Sequence, residues 1–431
     1  MSALPFEQST LSDAGALRAI VAQVMVIEST TYGGANGARR GPAIRALMDG
    51  NDHTVRFAGQ LFVESREAYA RVAEQFRPLG YTPLFRMDRN AHVVLAVREV
   101  INPTLSNPWV NGVMFGLTVF SVLIVGTIYQ LPVSHPVEAG LLSQAANLGD
   151  AGRYYSLYFQ IGLSHLGEGW PLLVGLLAIL LAHEFGHYFA ARYHKVAVTL
   201  PYFIPFPFGV FGTMGAFIQL KAPPTNRRAL LDVGIAGPLA GLVVAVPILL
   251  YGLYTSAPLQ QIPYDQLSGL EGNSILYVLA KFIVFGRWLP EPVGYGDLPG
   301  WLYMLRFYTL GFPFPNGGTD VFLNQMAWAG WAGLLVTGLN LIPAGQLDGG
   351  HALYVLLGRR ATRLVPVIIA VLVGLGFFWN GWWLWAALIF FLGRTHAEPL
   401  DQITELDPAR RVLAIGALIL FVLVITPIPL T

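Results

Sequence analysis

The residues best placed to do chemistry are His183-Glu184-Phe185-Gly186-His187. On a helix, positions i and i+4 lie about 40° apart in azimuth and about 6 Å apart in height, roughly one turn. Two imidazoles so placed can hold one Zn2+ at about 2.0–2.1 Å. Glu184 stands beside them, where it could serve as general base for a water activated by such a metal. The spacing therefore points to metal-assisted hydrolysis. A plainer reading is a set of satisfied polar residues on a soluble helix. The setting argues against it. The three side chains follow the apolar run Leu172 to Ala182, inside a segment that reads as a membrane span. Ionisable groups are costly there and mark functional sites by default.

A zinc site that keeps its fourth position open needs a third protein ligand. The chain has no cysteine, so thiolate ligands, disulfides and cysteine nucleophiles are excluded. Any metal must be held by His, Asp or Glu. The candidate lies in Asn340-Leu341-Ile342-Pro343-Ala344-Gly345-Gln346-Leu347-Asp348-Gly349-Gly350-His351. Asp348 ends an apolar segment on the same side of the membrane as His187. Pro343, Gly345 and the Gly349-Gly350 pair interrupt the helix, so the backbone can approach closely and aim the carboxylate. The plainer reading is a loop aspartate before a turn-forming glycine pair. His351, three residues on, could reach the metal's surroundings, but an interfacial role is the favoured reading. His194 and His396 read as interfacial too.

Composition says what must position these groups. Of 431 residues, 54% are hydrophobic and 12% charged, against about 25% charged in a soluble domain. Charge is concentrated in residues 1–108, which hold eleven arginines. A small soluble N-terminal α/β domain (1–108) followed by a transmembrane domain (109–430) is expected. Net charge is +1, which gives no sign of nucleic-acid binding. The first apolar run, Leu17 to Ile27, contains Arg18 and lacks the flanks of a secretory signal. Within 1–108 the alternation Val55–Val63 predicts a strand. Ser65 is a candidate cap for a helix to about Phe76, and Tyr81–Arg86 and His92–Val97 read as further strands. The run Gly33-Gly34-Ala35-Asn36-Gly37 reads as a plain loop.

Apolar runs predict spans at Val110–Tyr129, Trp170–Ala191, Ala229–Leu253 and Ala327–Ile342. Shorter ones follow at Val365–Phe378, Gly381–Leu392 and Val412–Ile425. Together they suggest a mainly α fold, a polytopic helical bundle of about six to eight spans. Residues 131–168 read as a loop. The stretch 273–320, broken by Lys281, Arg287 and several Pro and Gly, reads as an interfacial or re-entrant insertion. Arg192, Lys195, Lys221, Arg227 and Arg228 load the 192–228 loop, while 256–272 has no Lys or Arg. That bias places the N-terminal domain and the active-site face in the cytoplasm. Residues 201–220 are apolar and aromatic, yet their Pro and Gly forbid a regular helix. Irregular backbone at membrane depth must be buried in protein or line a wet cavity, so a re-entrant β-like hairpin is expected. Gly237-x-x-x-Gly241 reads as a close-packing face of the third span.

His183–His187, the aromatic hairpin, Gly234-x-x-Gly237-Pro238 and Asn340-x-x-Pro343-x-x-x-Leu347-Asp348-Gly349 together resemble the site-2 protease family of intramembrane metalloproteases. The wording Pro343–Gly350 is close to the plant chloroplast branch named for ethylene-dependent gravitropism, and to its bacterial relatives. The resemblance covers roughly 109–430. In the N-terminal domain Gly59-Gln60-Leu61 is similar to that branch's Gly-Asn-Leu-Arg, with Gln60 for Asn and no Arg. The resemblance implies one Zn2+ per chain on His183, His187 and Asp348, with Glu184 catalytic. It assigns Asn340 to steadying the substrate carbonyl or oxyanion; packing against a neighbouring helix is the equal alternative. It also implies cleavage of single-span membrane proteins in a lipid bilayer, in a bacterial cell membrane or a thylakoid-type one. A regulatory partner for the N-terminal domain is a further expectation. The rival reading is a zinc-binding membrane protein without proteolysis, either a pseudoprotease or a metal transporter.

Overall fold

The computed structural model describes residues 4–32, 55–103, 106–262, 271–294, 297–302, 318–392 and 398–430. The Gly33–Gly37 run and His396 lie outside them.

The N-terminal elements are α1 (Leu4–Val21), β1 (Met25–Tyr32), β2 (Val55–Leu61), α2 (Ser65–Phe76), β3 (Thr82–Asp88) and β4 (Ala91–Val97). The strands form one antiparallel sheet in the order β1-β2-β4-β3. Leu17 and Val21 of α1 and Val72 and Phe76 of α2 are buried with Phe57 and Phe85 of the sheet. Gly59 has a local reason to be glycine. The β1 strand bulges between Ile27 and Ser29 opposite it, and a Cβ at Gly59 would lie 1.9 Å from the Val26 carbonyl oxygen. Ser65 does not cap α2. The cap position is Glu64, which makes no side-chain cap bond, and the Ser65 hydroxyl donates to Asp401 at 2.9 Å. A tertiary partner has outcompeted the local one.

The apolar part begins with α3 (Pro108–Ser134), capped by Asn107, whose side chain accepts from the Trp109 N–H. Residues 131–168, expected as a loop, instead contain two whole helices, α4 (Pro136–Asn147) and α5 (Ala151–Ser164). Pro136 starts the first and Asp150 caps the second. Neither is a long apolar run, so neither shows in the hydropathy pattern. Then come α6 (Trp170–Tyr193), the hairpin β5 (Tyr202–Pro205) and β6 (Thr213–Phe217), and α7 (Arg227–Thr255). Helices α3, α6 with the turn before it, and α7 are long and apolar enough to cross a membrane.

Beyond α7 lie β7 (Gln260–Ile262), α8 (Ile275–Phe285), β8 (Glu291–Pro292) and β9 (Gly318–Asp320), the strands pairing in the order β7-β9-β8. Lys281, which interrupts the apolar pattern of α8, is fully buried. It donates to Asp320 at 3.0 Å and Glu271 at 3.2 Å, so its charge is paired rather than surface-exposed. Residues 303–317 of the expected insertion lie outside the described ones. The chain continues through α9 (Gln325–Asn340), α10 (Asp348–Leu357), α11 (Val365–Leu375), α12 (Gly381–Leu392) and α13 (Pro408–Val424).

Helices α6, α7 and α9 share the central core, with Leu176, Leu180, Ala245, Leu249, Trp331 and Leu335 buried together. Glycines set their spacing. A Cβ at Gly186 would lie 2.5 Å from the Ala236 carbonyl oxygen, and one at Gly330 would lie 2.5 Å from Leu249 Cα. Backbones approach closely where no side chain stands between them.

The segment 398–404 joins the two parts. Leu400 O accepts from Phe85 N on β3, and Phe85 O accepts from Gln402 N. On its other side, Leu400 N and Asp401 N donate to Pro224 O and Thr225 O, just before α7. Arg86 is buried against the segment and donates to the Pro399 and Leu400 carbonyls. Burial depresses its pKa, and the nearby Glu398 carboxylate opposes that shift.

Candidate active site

Helix α6 carries His183, Glu184 and His187, with exposures of 3%, 4% and 7%. The helix positions both imidazoles on the side facing α7 and the loop 341–347. His187 Nδ1 lies 2.7 Å from the Val233 carbonyl oxygen on α7. A carbonyl can only accept, so Nδ1 carries the proton and the Nε2 lone pair turns inward. His183 Nε2 lies 3.2 Å from His187 Nε2.

Asp348 supplies the third corner. It is the first residue of α10, not the end of the preceding helix. The chain leaves α9 at Asn340 and turns through Leu341–Leu347, with Gly345 at φ 59°. A Cβ at Gly349 would lie 1.9 Å from the Leu341 carbonyl oxygen, and one at Gly350 2.5 Å from that of Gly345. The glycine pair thus lets α10 begin directly on this loop, with Asp348 aimed at α6. Its Oδ2 is 3.5 Å from His183 Nε2 and 3.4 Å from His187 Nε2.

The three atoms form a triangle with edges of 3.2, 3.4 and 3.5 Å. Ligands about 2.0–2.2 Å from a tetrahedral centre stand roughly 3.3–3.6 Å apart. Two inward lone pairs and a carboxylate oxygen at that separation fit a zinc-like cation. They fit poorly as hydrogen bonds to one another. Asn340 Nδ2 lies 3.2 Å from His183 Nε2, so the asparagine borders the same spot.

Helix α7 makes room for the arrangement. A Cβ at Gly237 would lie 2.0 Å from His187 Nε2, and one at Gly241 3.2 Å from His183 Cβ. The Gly237-x-x-x-Gly241 face is close-packed against the side chains of His187 and His183. Sequence spacing marked these glycines but not what they accommodate.

A cavity of about 460 Å³ opens beside the triangle. Glu184, Asn340, His351 and Glu398 line it, together with Ala216 to Leu220, the end of β6 and the extended residues after it. The Ile218 backbone N–H donates to the Glu184 carboxylate. Gln219 turns its N–H and carbonyl to Thr199, both at 3.1 Å, and Lys221 N donates to Ala197 O at 2.8 Å. Alternation along a strand therefore turns Ile218 and Leu220 toward the other edge. Sequence reasoning did not find Val233, Ile218 or Glu398, because each contributes through a tertiary approach with no motif of its own. His194 pairs with Asp232 at 2.8 Å, beside Arg410, away from the triangle.

Residues 171–379, which contain the whole triangle, match Peptidase family M50, the site-2 protease family. The match covers just under half of the chain. Curated relatives agree. The chain is 29% identical to "Probable zinc metalloprotease EGY1, chloroplastic" of Arabidopsis thaliana, over 72% of this chain and 54% of that protein. Identity to the Oryza sativa subsp. japonica protein of the same name is 28%, over 87% and 62%. For "Probable zinc metalloprotease EGY2, chloroplastic" of Arabidopsis thaliana it is 29%, over 79% and 53%. The aligned regions thus span only about half to three-fifths of these relatives' lengths. No solved structure matches the chain. The M50 match begins at Pro171 in α6 and ends at Trp379 after α11, leaving the N-terminal sheet outside it.

Proposed function

We propose that this chain is an intramembrane zinc metalloprotease that hydrolyses a peptide bond in or near the transmembrane segment of membrane-protein substrates. The observation that carries the reading is the His183–His187–Asp348 triangle, with its 3.2–3.5 Å edges, standing beside Glu184 in the M50 domain. One Zn2+ held by these three residues would act as a Lewis acid on the scissile carbonyl and make water nucleophilic near neutral pH. Glu184 takes the proton of the attacking water and returns it to the leaving amine. Asn340, bordering the metal position, donates to the carbonyl oxygen as negative charge develops there. Val233 holds the His187 ring in one tautomer and orientation.

A helical substrate hides its carbonyls in its own hydrogen bonds, so it must unwind to react. The outward edge at Leu220 lies along the cavity, where an extended substrate segment can add to it as a strand. The basic residues around the hairpin favour the cytoplasm or its equivalent for the N-terminal domain and the active-site end. Glu184 separates this reading from zinc binding or transport alone, neither of which needs a general base.

The test is purified protein in detergent or liposomes with single-span candidate substrates, wild type against Glu184→Gln, with zinc content measured on both. Cleavage by the wild type and none by the variant, with zinc retained in both, is the expected result. Cleavage that survives Glu184→Gln would overturn the mechanism, and zinc flux without cleavage would favour transport.

A further inference from the structure

A second cluster stands at the other end of α6. His135 and Glu138 lie where α3 turns into α4, and His165 and Glu168 lie where α5 turns into α6. In sequence these are two copies of His-x-x-Glu. In space they cross over. His135 Nε2 is 2.8 Å from Glu168 Oε1, and His165 Nε2 is 3.1 Å from Glu138 Oε2. His165 Nδ1 is also 3.6 Å from Glu168 Oε1. Ligand atoms of His135, Glu138 and His165 all lie within 4.8 Å of one another. The candidate active site is remote: about 15 residues of helical path, or roughly 20 Å, separate Glu168 from His183.

We propose that His135, Glu138 and His165 form a second divalent-metal site, suited by its donor set to Zn2+, with Glu168 as the carboxylate that orients the two rings. Two imidazoles and one carboxylate are a normal three-residue zinc set that leaves a fourth position open. The charge also fits. Two carboxylates with neutral imidazoles carry −2, and among the described residues neither carboxylate pairs with Lys or Arg. A dication held by His135, Glu138 and His165 would offset the charge of both carboxylates. Glu138 Oε2 is moreover buried with no hydrogen bond of ordinary geometry, as a ligand atom would be, whereas the Glu168 carboxylate accepts from His135 and Ser134.

The scaffold beneath the cluster is stiff. A Cβ at Gly169 would lie 2.1 Å from the Leu123 carbonyl oxygen, so the corner sits directly on α3. Thr127 Oγ1 donates to the His165 carbonyl, and Gln325 Nε2 bridges the Gly126 and Glu168 carbonyls. The side chains are about a quarter to a third exposed, open enough for an ion to enter. The metal would staple the α3–α4 corner to the α5–α6 corner, a structural role independent of any peptidase chemistry.

The experiment loads the full chain in detergent with Zn2+ after chelation and counts bound zinc by mass spectrometry of the metal. The wild type is expected to hold two equivalents. His183→Ala with His187→Ala should retain one. The isosteric pair Glu138→Gln and Glu168→Gln should also hold one, with affinity at the far site lowered at least about tenfold. That variant should elute as folded protein and show a smaller chelator-induced drop in melting temperature than the wild type. One equivalent in the wild type overturns the proposal. So does a His183→Ala, His187→Ala chain that takes up none, or a double-glutamine chain that holds zinc as the wild type does.

Discussion

Gly237 and His187 fit together so closely that any larger residue on α7 would occupy the imidazole's place. A Cβ there falls 2.0 Å from Nε2, the atom that faces Asp348. Gly237→Ala should therefore expel the ring from its metal-facing position while leaving the helices paired. Zinc content and activity should fall together, activity by about 10²-fold or more, as for other displacements of about 1 Å at a reacting centre. Full zinc occupancy in this variant would show that the ring can reseat.

Glu184→Gln keeps the size and the Ile218 contact but removes the base. Cleavage should fall by about 10²–10⁴-fold, with zinc content unchanged. Single-turnover assays with equal metal loading check this. A variant that loses zinc as well would mean that Glu184 acts on metal binding rather than proton transfer.

Metal removal should loosen the α6–α10 junction. A ligand present at 100 times its dissociation constant stabilises the folded state by about 2.7 kcal/mol. Chelation should lower the melting temperature accordingly, and Asp348→Asn should show a similarly low value with or without chelator. Both chains are compared in the Glu138→Gln, Glu168→Gln background, so that only metal at the triangle is read. If chelation destabilises Asp348→Asn as much as its parent, the carboxylate is not a ligand there.

The outward edge after β6 gives a separable test of substrate binding. Leu220→Pro deletes an N–H on the cavity side and leaves the Gln219 and Lys221 bonds to the neighbouring strand in place. Cleavage should slow by about tenfold, the loss of about 1.4 kcal/mol or one good hydrogen bond, with zinc retained. Wild-type rates would remove strand addition from the mechanism.

Asp401 ties the N-terminal sheet to the membrane part. It accepts from Ser65 Oγ at 2.9 Å and from the Ile403 and Thr404 backbone N–H groups at 2.8 and 3.2 Å. Asp401→Ala strands these buried donors, at a cost of about 3 kcal/mol. Hydrogen exchange at the Phe85 and Gln402 amides, which bond across the junction, should accelerate markedly while α6 stays protected. Unchanged protection would place the junction's strength elsewhere.

What short-range spacing encodes was legible in the amino-acid order. His183 and His187 share a helix face because the α-helical period puts i and i+4 there, and the apolar runs fix that face inside a membrane segment. The Pro343–Gly350 wording pointed to Asp348, although nothing local could show its oxygen 3.4 Å from His187. The remainder depends on how the chain packs. Ser65 left its expected cap for Asp401 because a buried partner outweighs a solvated local one. The two His-x-x-Glu turns look ordinary apart in sequence, and meet only because the corner before α6 packs backbone to backbone on α3 at Gly169. Val233, Ile218 and Gly237 act through a carbonyl, an N–H and a missing Cβ. Groups of that kind carry no side-chain signature, so only the packing of α6, α7 and the hairpin assigns them a part in the site.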